Sequence, residues 1–503
     1  MKITFSRAGM GVGALLAGLA GWMPAYGDAA QVVKMSPATH EFLNAILTAD
    51  QLQAVVETLS HADAWGSLGP RPGGQPAPLP YPQPEARVTL EIPDDARGSG
   101  TAEDPYVDVI SAFLEQFDYN PAHIESFERT PRAGRIVDPE RVERYMETLA
   151  YELVTVVIPP GYYVETIRNE EHPARARYQD RWNIGLRIPP GIWLEGEGAP
   201  GSVVIRPALA EEEMSGLLML VDIRSGLVNV TLDGESVGPW EVGPDYHVSA
   251  VQVAHHATLA SNHIRYFNGT GVRGFGARRG QAGTAVVLSN NIIEYIGQTG
   301  VGPTSGWMVR DNQLRYAGIL STTGGGGNDV IIPRHSEGGE IVNNLIIGER
   351  KPTGRHVIGH QEQRGSLVAG NIVAAVNGIR NVISASDGSH MLRYVGNLAL
   401  NLGETGRSAQ AGLTINGYGA VIEHNASIGN PSAFRAAGRP DHPTGYVRYN
   451  YAEYTHTCIH TWGDRRWGRN REEYGNVCQR IEAPLPVVDM TEFGFFVPEK
   501  LMP

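Results

Sequence analysis

A short phrase built around asparagine recurs through the second half of the chain and constrains its fold more than any other feature. The phrase combines a small or polar residue, an asparagine and an apolar residue, as in Gly370-Asn371-Ile372 and Gly475-Asn476-Val477. The residue just before the apolar one falls at positions 263, 291, 313, 344, 371, 397, 425, 450 and 476. The spacing between successive copies is therefore nearly regular.

A spacing of about 26 residues predicts a solenoid of short parallel strands. It is shorter than a propeller blade of about 40 residues, and the leucine pattern of leucine-rich repeats is absent. A coil of three short strands and three turns fits, with apolar side chains of successive coils stacked inside. Asparagine suits the turns because it tolerates left-handed backbone angles and forms local hydrogen bonds. We therefore predict an all-β fold, a parallel β-helix of a single chain.

The composition agrees with this fold and excludes some functions. Glycine accounts for 61 of 503 residues, well above the average of about 7 %, as frequent turning of the chain requires. A hydrophobic content of 42 % rules out wholesale disorder. A net charge of −13 excludes nucleic-acid binding by general phosphate neutralisation. A local basic pocket for an anionic substrate stays open.

The N-terminal segment 1–27 has the pattern of a secretory signal peptide. Lys2 and Arg7 precede an apolar run over 8–20, and the small residues Ala25 and Gly27 flank Tyr26 before Asp28. The alternative, a retained membrane anchor, needs about 20 apolar residues. We expect cleavage after Gly27, a secreted or periplasmic product and no membrane insertion of the mature chain.

The rest of the chain divides by composition into three parts. Residues 28–68 form a predicted helical appendage or cap, because apolar residues recur there at helical spacing. Residues 69–96 form a proline-rich linker, and residues 97–503 form the β-helix domain. Whether the helical segment packs on the coil or docks a partner is open, as is the oligomeric state.

The two cysteines, Cys458 and Cys478, allow two interpretations. In an oxidising compartment they would form a disulfide. Alternatively, a strand would place His456, Cys458 and His460 on one face, as in a metal site.

Two further motifs give the chain a resemblance to a known family. The segments Gly98-Ser99-Gly100-Thr101-Ala102-Glu103-Asp104-Pro105-Tyr106 and Ile158-Pro159-Pro160-Gly161-Tyr162-Tyr163-Val164-Glu165, together with the asparagine repeat, resemble the secreted pectate-lyase-like superfamily. The resemblance covers roughly residues 97–480. It implies a right-handed parallel β-helix capped by a helix at its N-terminal end, and activities that include polysaccharide lyases, hydrolases, epimerases and esterases. Fold alone does not choose among them.

The repeat predicts which side chains stack on neighbouring coils. Residues at equal offsets before the repeat positions place arginine, histidine and carboxylate side chains on one face of three consecutive coils, about 4.8 Å apart. The candidate catalytic residues are Arg334, His335, His360, Glu362, Asp387 and His390. The candidate substrate-binding residues are Arg355, His356, Arg364, Arg393 and Asn416.

These residue types suit β-elimination on a uronic-acid polysaccharide. Arginine neutralises the sugar carboxylate, which acidifies the C5 proton, and histidine or arginine then removes it as the base. A hydrolase would need two carboxylates about 5 to 9.5 Å apart, such as Glu362 and Asp387. An epimerase on the same fold and a non-catalytic glycan-binding surface protein would also use such a face. A solvated ladder of polar residues without function fits the pattern as well.

The expected partner is thus an anionic polysaccharide. No cofactor is certain from the sequence. Calcium would need oxygen ligands, for which Asp329, Glu362 and Asp387 are the candidates.

Overall fold

A computed structural model gives the structure of most of the chain. It describes residues 34–62, 67–70, 81, 83–117, 139–149, 153–168, 183–210, 215–235, 247–274, 285–319, 329–334, 336–348, 356–376, 381–385, 388–403, 411–415, 417–436, 445–460, 471–482 and 485–495. The predicted signal peptide over 1–27 lies outside these residues. So does the proline-rich stretch over 71–80.

The described strands coil into a parallel β-helix with three sides. Each strand pairs in parallel with the strand one coil further along the chain, so every coil adds one strand to each side. This confirms the predicted fold. Connections between parallel strands are right-handed almost without exception, which agrees with the hand that the resemblance implies.

Side 1 is a sheet of thirteen strands within the described residues. Its strands are Ala86–Thr89, Val154–Ile158, Ile192–Gly196, Gly226–Val228, Thr258–Ala260, Val287–Ser289, Met308–Arg310, Glu340–Val342, Leu367–Ala369, Arg393–Val395, Val421–Glu423, Gly445–Arg448 and Arg471–Tyr474. The first of these lies inside the predicted linker over 69–96 and pairs in parallel with Val154–Ile158.

Side 2 follows the asparagine turns. Its strands are Tyr106–Val107, Gly161–Ile167, Val203–Leu209, Thr231–Asp233, His263–Phe267, Ile292–Ile296, Gln313–Ala317, Leu345–Gly348, Ile372–Val376, Leu398–Leu402, the first parts of Ala426–Ala436 and Tyr451–His460, and Val477–Arg480.

Side 3 closes each coil. Its strands are Asn183–Ile188, Gly216–Val221, Val248–Val253, Val272–Gly274, Val301–Gly302, His356–His360, Asn381–Ala385 and Ala411–Ile415, followed by the second parts of Ala426–Ala436 and Tyr451–His460. Bridges from Val301 to Ile331 and from Ile331 to Ile358 connect its two halves.

The asparagines of the repeat form a continuous ladder inside the coil. Each side-chain Nδ2 donates to Oδ1 of the asparagine on the next coil, over 2.8 to 3.1 Å. The same Oδ1 accepts the backbone N–H of the asparagine before it, for example Asn344 N to Asn371 Oδ1 at 2.9 Å. The ladder consists of Asn262, Asn291, Asn312, Asn344, Asn371, Asn397, Asn425, Asn450 and Asn476.

Two details of the predicted repeat were wrong. The ladder positions in the first and third copies are Asn262 and Asn312, whereas His263 and Gln313 already belong to the following strands. The left-handed residue is also not the ladder asparagine but the residue before it. That position is occupied by Ser261, Asn290, Asp311, Asn343, Gly370, Gly396, His424, Tyr449 and Gly475. The turn thus uses two consecutive residues, one for its backbone angles and one for its side chain.

The N-terminal helices pack on the coil. Helices α1 (Pro37–Ile46) and α2 (Ala49–Ser60) are joined by a turn in which Thr48 and Gln51 form a capping box. Their apolar faces, including Phe42 and Val55, cover outward-facing apolar side chains of side 2 such as Leu345, Ile372, Leu398 and Leu400. Residues near the C-terminus, Leu485 and Phe495, join the same cluster. The sequence did not decide whether these helices pack on the coil or bind a partner.

Two further helices pack on the coil in its N-terminal half. Helix α3 (Val109–Leu114) contributes Val109, Ile110 and Leu114 to the main core, as the resemblance implied for a capping helix. Helix α4 (Pro139–Leu149) packs through Val142 and Met146 on Ile223. A 3₁₀ turn spans Met490–Phe493. Among the described residues, no helix has the length and apolarity needed to span a bilayer.

The two cysteines form a disulfide. Cys458 and Cys478 lie on adjacent strands with their Cα atoms 5.8 Å apart. Cys458 is therefore not available as a thiolate ligand, and the metal interpretation of His456, Cys458 and His460 was wrong.

Candidate functional site

The equal-offset comparison between coils was correct at one point and shifted at the next two. Arg334 bridges Gln361 on the neighbouring coil, as the offsets predicted. At the next two coils the offsets predicted that His360 pairs with Ser386, and Ser386 with Thr414. The strand register instead pairs His360 with Ala385, and Ala385 with Ile415. The number of positions between this row and the next ladder asparagine differs among these three coils. Counting back from the asparagine therefore misplaces the strand.

His360 points into the coil and not onto its surface. It is 1 % exposed, lies in the same row as Ala385 and Ile415, and its ring centroid is 5.7 Å from that of buried Tyr394. Nδ1 is hydrogen-bonded to Gln363. Burial lowers the pKa of His360 to about 4, although the Gln363 contact opposes the shift. This histidine therefore has no access to a glycan on the outer surface.

The buried neutral His360 makes the fold acid-sensitive. The unfolded chain takes up a proton on this residue below its ordinary pKa of about 6.5, whereas the folded chain does so only near pH 4. The contribution of His360 to stability is therefore complete above about pH 6.5 and is lost as the pH drops towards 4. The full shift corresponds to about 3 kcal/mol.

The prediction is that the unfolding midpoint of His360→Gln falls less than that of the wild type when the pH is lowered from about 6.5 to 4, because the contribution of this residue is removed. His456→Gln, at an exposed histidine of the last long strand, is the control and should leave the slope unchanged. Denaturant titrations at several pH values measure it. Parallel curves for wild type and His360→Gln would contradict the assignment.

Four other candidates lie along the turn between side 3 and side 1. Arg334, Glu362 and Arg364 are exposed, and Arg364 bridges Glu337 on one coil and His390 on the next. The His390 ring stacks on Tyr418 with centroids 3.8 Å apart. The structure thus brings together Arg334, Glu362, Arg364 and His390 as one charged edge.

The remaining candidates are elsewhere. Arg393 lies on the outer face of side 1 and is ion-paired with Glu423 at 3.2 Å. Four candidates lie outside the described residues, namely His335, Arg355, Asp387 and Asn416.

His356 lies on the outer surface of side 3, beside a carboxylate that the sequence singled out only for calcium. Asp329 Oδ1 accepts the backbone N–H of His356 at 3.0 Å. A Cβ added to Gly359 would lie 2.0 Å from Asp329 Oδ2 and 3.3 Å from His356 Cδ2. Both groups therefore crowd the outer face of Gly359, and only glycine leaves room for them.

Asn381 fixes the tautomer of His356. Its Oδ1 accepts the backbone N–H of Ala411 at 3.1 Å, which leaves its Nδ2 to donate to His356 Nδ1 at 3.1 Å. A neutral imidazole that accepts at Nδ1 carries its proton on Nε2. Nε2 is bonded to Cδ2, the atom beside Gly359, so the donor lies on the outer side of the sheet.

A row of polar side chains continues from this point across four more strands. The register pairs Gly359 with Ser384, Ser384 with Thr414, Thr414 with Arg435, and Arg435 with His460. These residues alternate with inward-facing Ile383, Leu413 and Phe434 of the core. We call the set Asp329, His356, Ser384, Thr414, Arg435 and His460 the outer row. Three strand spacings separate Gly359 from Arg435, about 14 Å.

The outer row is polar yet mostly shielded from bulk water. Ser384, Thr414 and Arg435 are 4 %, 1 % and 8 % exposed. Within the described part of the chain, the Thr414 hydroxyl is buried without a hydrogen-bond partner. Buried polar groups are normally paired, so a sheltered row that contains a hydroxyl, a guanidinium and imidazoles is suited to hold a polar ligand.

Sequence reasoning named His356 as a substrate-binding candidate, Asp329 for calcium and His460 only in the metal interpretation, and it did not propose Ser384, Thr414 or Arg435 as site residues. A signal was present. In the segments Asn381–Ala385, Ala411–Ile415 and Ser432–Ala436, one polar residue stands between two apolar ones at the same strand position. Among the described residues, no group of three His, Cys, Asp or Glu side chains is placed to hold a metal ion.

The comparisons with known proteins concern the fold. No family model matches the chain, and no curated protein matches it by sequence. Solved structures with a similar coil include the A-module of the mannuronan C-5 epimerase AlgE6 from Azotobacter vinelandii, with 15 % identity, 72 % of this chain and 99 % of that one covered, and a TM-score of 0.40.

Two further structures are similar to a comparable degree. The DFA-IIIase from Arthrobacter chlorophenolicus A6, without its lid, has 13 % identity, coverage of 78 % and 94 %, and a TM-score of 0.42. The alginate lyase from Paenibacillus sp. str. FPU-7 has 12 % identity, coverage of 68 % and 95 %, and a TM-score of 0.31. The solved proteins with a similar coil include an epimerase and a lyase. At these identities the comparisons select no activity.

Proposed function

We propose that this protein is an exported carbohydrate-active enzyme that binds a polysaccharide along the outer row and cleaves it at uronic-acid residues by β-elimination. The observation that supports this most is the register of Arg435 with His460 at one end of a sheltered polar row. A linear polymer laid parallel to the coil axis would contact successive members of the row, since each strand adds about 4.8 Å.

The two side chains at this end supply the elements of the reaction. The Arg435 guanidinium offers paired donors to the sugar carboxylate, and this neutralisation makes the C5 proton acidic. The His460 imidazole accepts that proton. The electron pair of the C5–H bond forms the C4–C5 double bond, the C4–O bond breaks, and water protonates the departing oxygen. No redox cofactor is needed, because the step is an elimination.

The other end of the row suits binding of the chain beyond the cleaved bond. His356 Nε2–H and the hydroxyls of Ser384 and Thr414 can donate hydrogen bonds to the hydroxyl oxygens of a sugar. The Asp329 carboxylate is an acceptor there. The charged edge of Arg334, Glu362, Arg364 and His390 lies at the end of side 3 and would border the bound chain.

A panel of polysaccharides tests the proposal. We expect soluble polyuronates to yield products with the ultraviolet absorbance of a double bond conjugated to the carboxylate, and neutral glucans to yield none. New reducing ends without that absorbance would indicate a hydrolase instead. Inverted sugar residues without chain cleavage would indicate an epimerase, and binding without any product would indicate a glycan-binding protein.

A further inference from the structure

A row of aromatic side chains, three exposed and one half-buried, lies on the turn between side 1 and side 2 at the C-terminal end of the coil. The His424 and Tyr449 rings stack with centroids 5.3 Å apart and planes 13° apart. Tyr474 meets Tyr449 edge to face at 5.3 Å, and His61 at the end of α2 lies 6.1 Å from His424. We call His61, His424, Tyr449 and Tyr474 the aromatic platform. It is on a different edge of the coil from the outer row.

The backbone at two of these positions is left-handed. His424 and Tyr449 both have φ of 55°, a conformation that histidine adopts more readily than tyrosine and that Tyr266, Tyr295 and Tyr316 also have elsewhere in the coil. The equivalent turn position in the other coils of the ladder holds Ser261, Asn290, Asp311, Asn343, Gly370, Gly396 or Gly475. The fold thus needs only a small residue here. Strained residues that the fold does not require are frequent at functional sites.

The platform is open to solvent and kept in position by its neighbours. Tyr449 is 45 % exposed and Tyr474 is 38 % exposed. A Cβ on Gly475 would lie 2.4 Å from Tyr449 Cδ1, so the Tyr449 ring lies directly over that glycine. Its position depends on the next coil having no side chain there.

Charged groups flank the rings. Arg448 Nη1 donates to the Tyr474 hydroxyl at 2.7 Å, and its Nε donates to Glu423 Oε2 at 2.9 Å. Arg393, whose side chain is 57 % exposed, pairs with the same carboxylate. Aromatic surface beside fixed hydrogen-bonding groups is the arrangement by which proteins hold ligands that have both apolar and hydroxylated faces.

We propose that the aromatic platform is a second glycan-binding site, which holds the polysaccharide by stacking pyranose rings on Tyr449 and Tyr474 while Arg448 and Arg393 bind its hydroxyl or carboxylate groups. The choice of a polyuronate as ligand rests on the proposed function, whereas the stacking surface itself does not. The site increases the local concentration of the polymer near the outer row, because both sites belong to one rigid coil.

The decisive variant is Tyr449→Asn, which introduces a residue type that other coils already use at this turn position. Because asparagine tolerates the left-handed conformation, we expect an unfolding midpoint equal to or above that of the wild type. Affinity for the polymer should fall about tenfold or more, the usual effect of removing a central aromatic contact. Turnover of short oligosaccharides should be unchanged. Met391→Asn is the matched control, since Met391 has φ of 55° and is 56 % exposed but lies on another turn.

Affinity electrophoresis of the full chain in gels containing a soluble polyuronate or a neutral glucan measures the binding. Unchanged mobility of Tyr449→Asn relative to wild type and to Met391→Asn in every gel would overturn the platform. The His460→Gln variant separates the two proposals. If it still turns over substrate while Tyr449→Asn loses binding, the elimination mechanism fails and the platform stands.

Discussion

Replacing Arg435 by alanine is expected to lower the rate of unsaturated product formation about a hundredfold or more. The guanidinium lies on a sheltered sheet face, 8 % exposed, where donors that stabilise developing charge are worth far more than in water. His460→Gln should lose about two to four orders of magnitude, because the base is removed. Initial rates of ultraviolet absorbance increase measure both effects.

Two further variants separate chemistry from folding. Arg435→Lys keeps the charge but loses the paired donors, so it should retain the fold and recover only part of the rate. Arg310→Gln removes an arginine from side 1, where it lies 3.7 Å from Glu340 and far from the outer row, and should leave the rate unchanged. A folded Arg435→Ala protein with the wild-type rate would eliminate Arg435 from the mechanism.

Replacing Asn344 by alanine is expected to destabilise the coil by about 4 kcal/mol. Its Oδ1 accepts the backbone N–H and Nδ2 of Asn312, and its own Nδ2 donates to Val309 O, Val342 O and Asn371 Oδ1. Alanine leaves these buried partners without their bonds, and each unmade bond costs about 1 kcal/mol or more.

The adjacent Asn343 provides the control. It is the same residue type, one position earlier, but it has φ of 55° and does not belong to the ladder. Asn343→Gly keeps that backbone conformation available and should change stability by less than about 1 kcal/mol. Denaturant unfolding of both variants measures the difference. Equal midpoints would mean that the ladder contributes little to stability.

The fold was predictable because one turn recurs with a constant chemical requirement. Every coil from Asn262 to Asn476 places an asparagine at the same interior point, and that requirement remains visible however long the loops become. The position of α1 and α2 was not predictable in the same way. Their apolar faces show that they pack on something, but nothing in the helix sequence identifies Leu345 or Leu398 as the surface they cover.

The site was harder to predict because the direction of a side chain depends on strand parity, which one residue reverses. Gly359 and His360 are neighbours on one strand and face opposite sides: His360 enters the core beside Tyr394, whereas Gly359 faces outward, where Asp329 and His356 lie against it. Because the number of residues before the next asparagine differs between coils, counting back from the asparagine does not show which face of the sheet a residue occupies. The pairing of Arg435 with His460 was not predicted because both lie on the two long strands where sides 2 and 3 merge.

The docking of the N-terminal helices also has a consequence for how the chain folds. Gln51 of α2 bonds to Glu453, 402 positions away in the sequence. The apolar surface that the helices cover runs from Ile292 to Phe495, so it is complete only when the last coils have formed. Contacts over such separations slow folding. The helices thus connect early and late parts of the chain, and a chain interrupted before Glu453 would lack the last part of the surface that they cover.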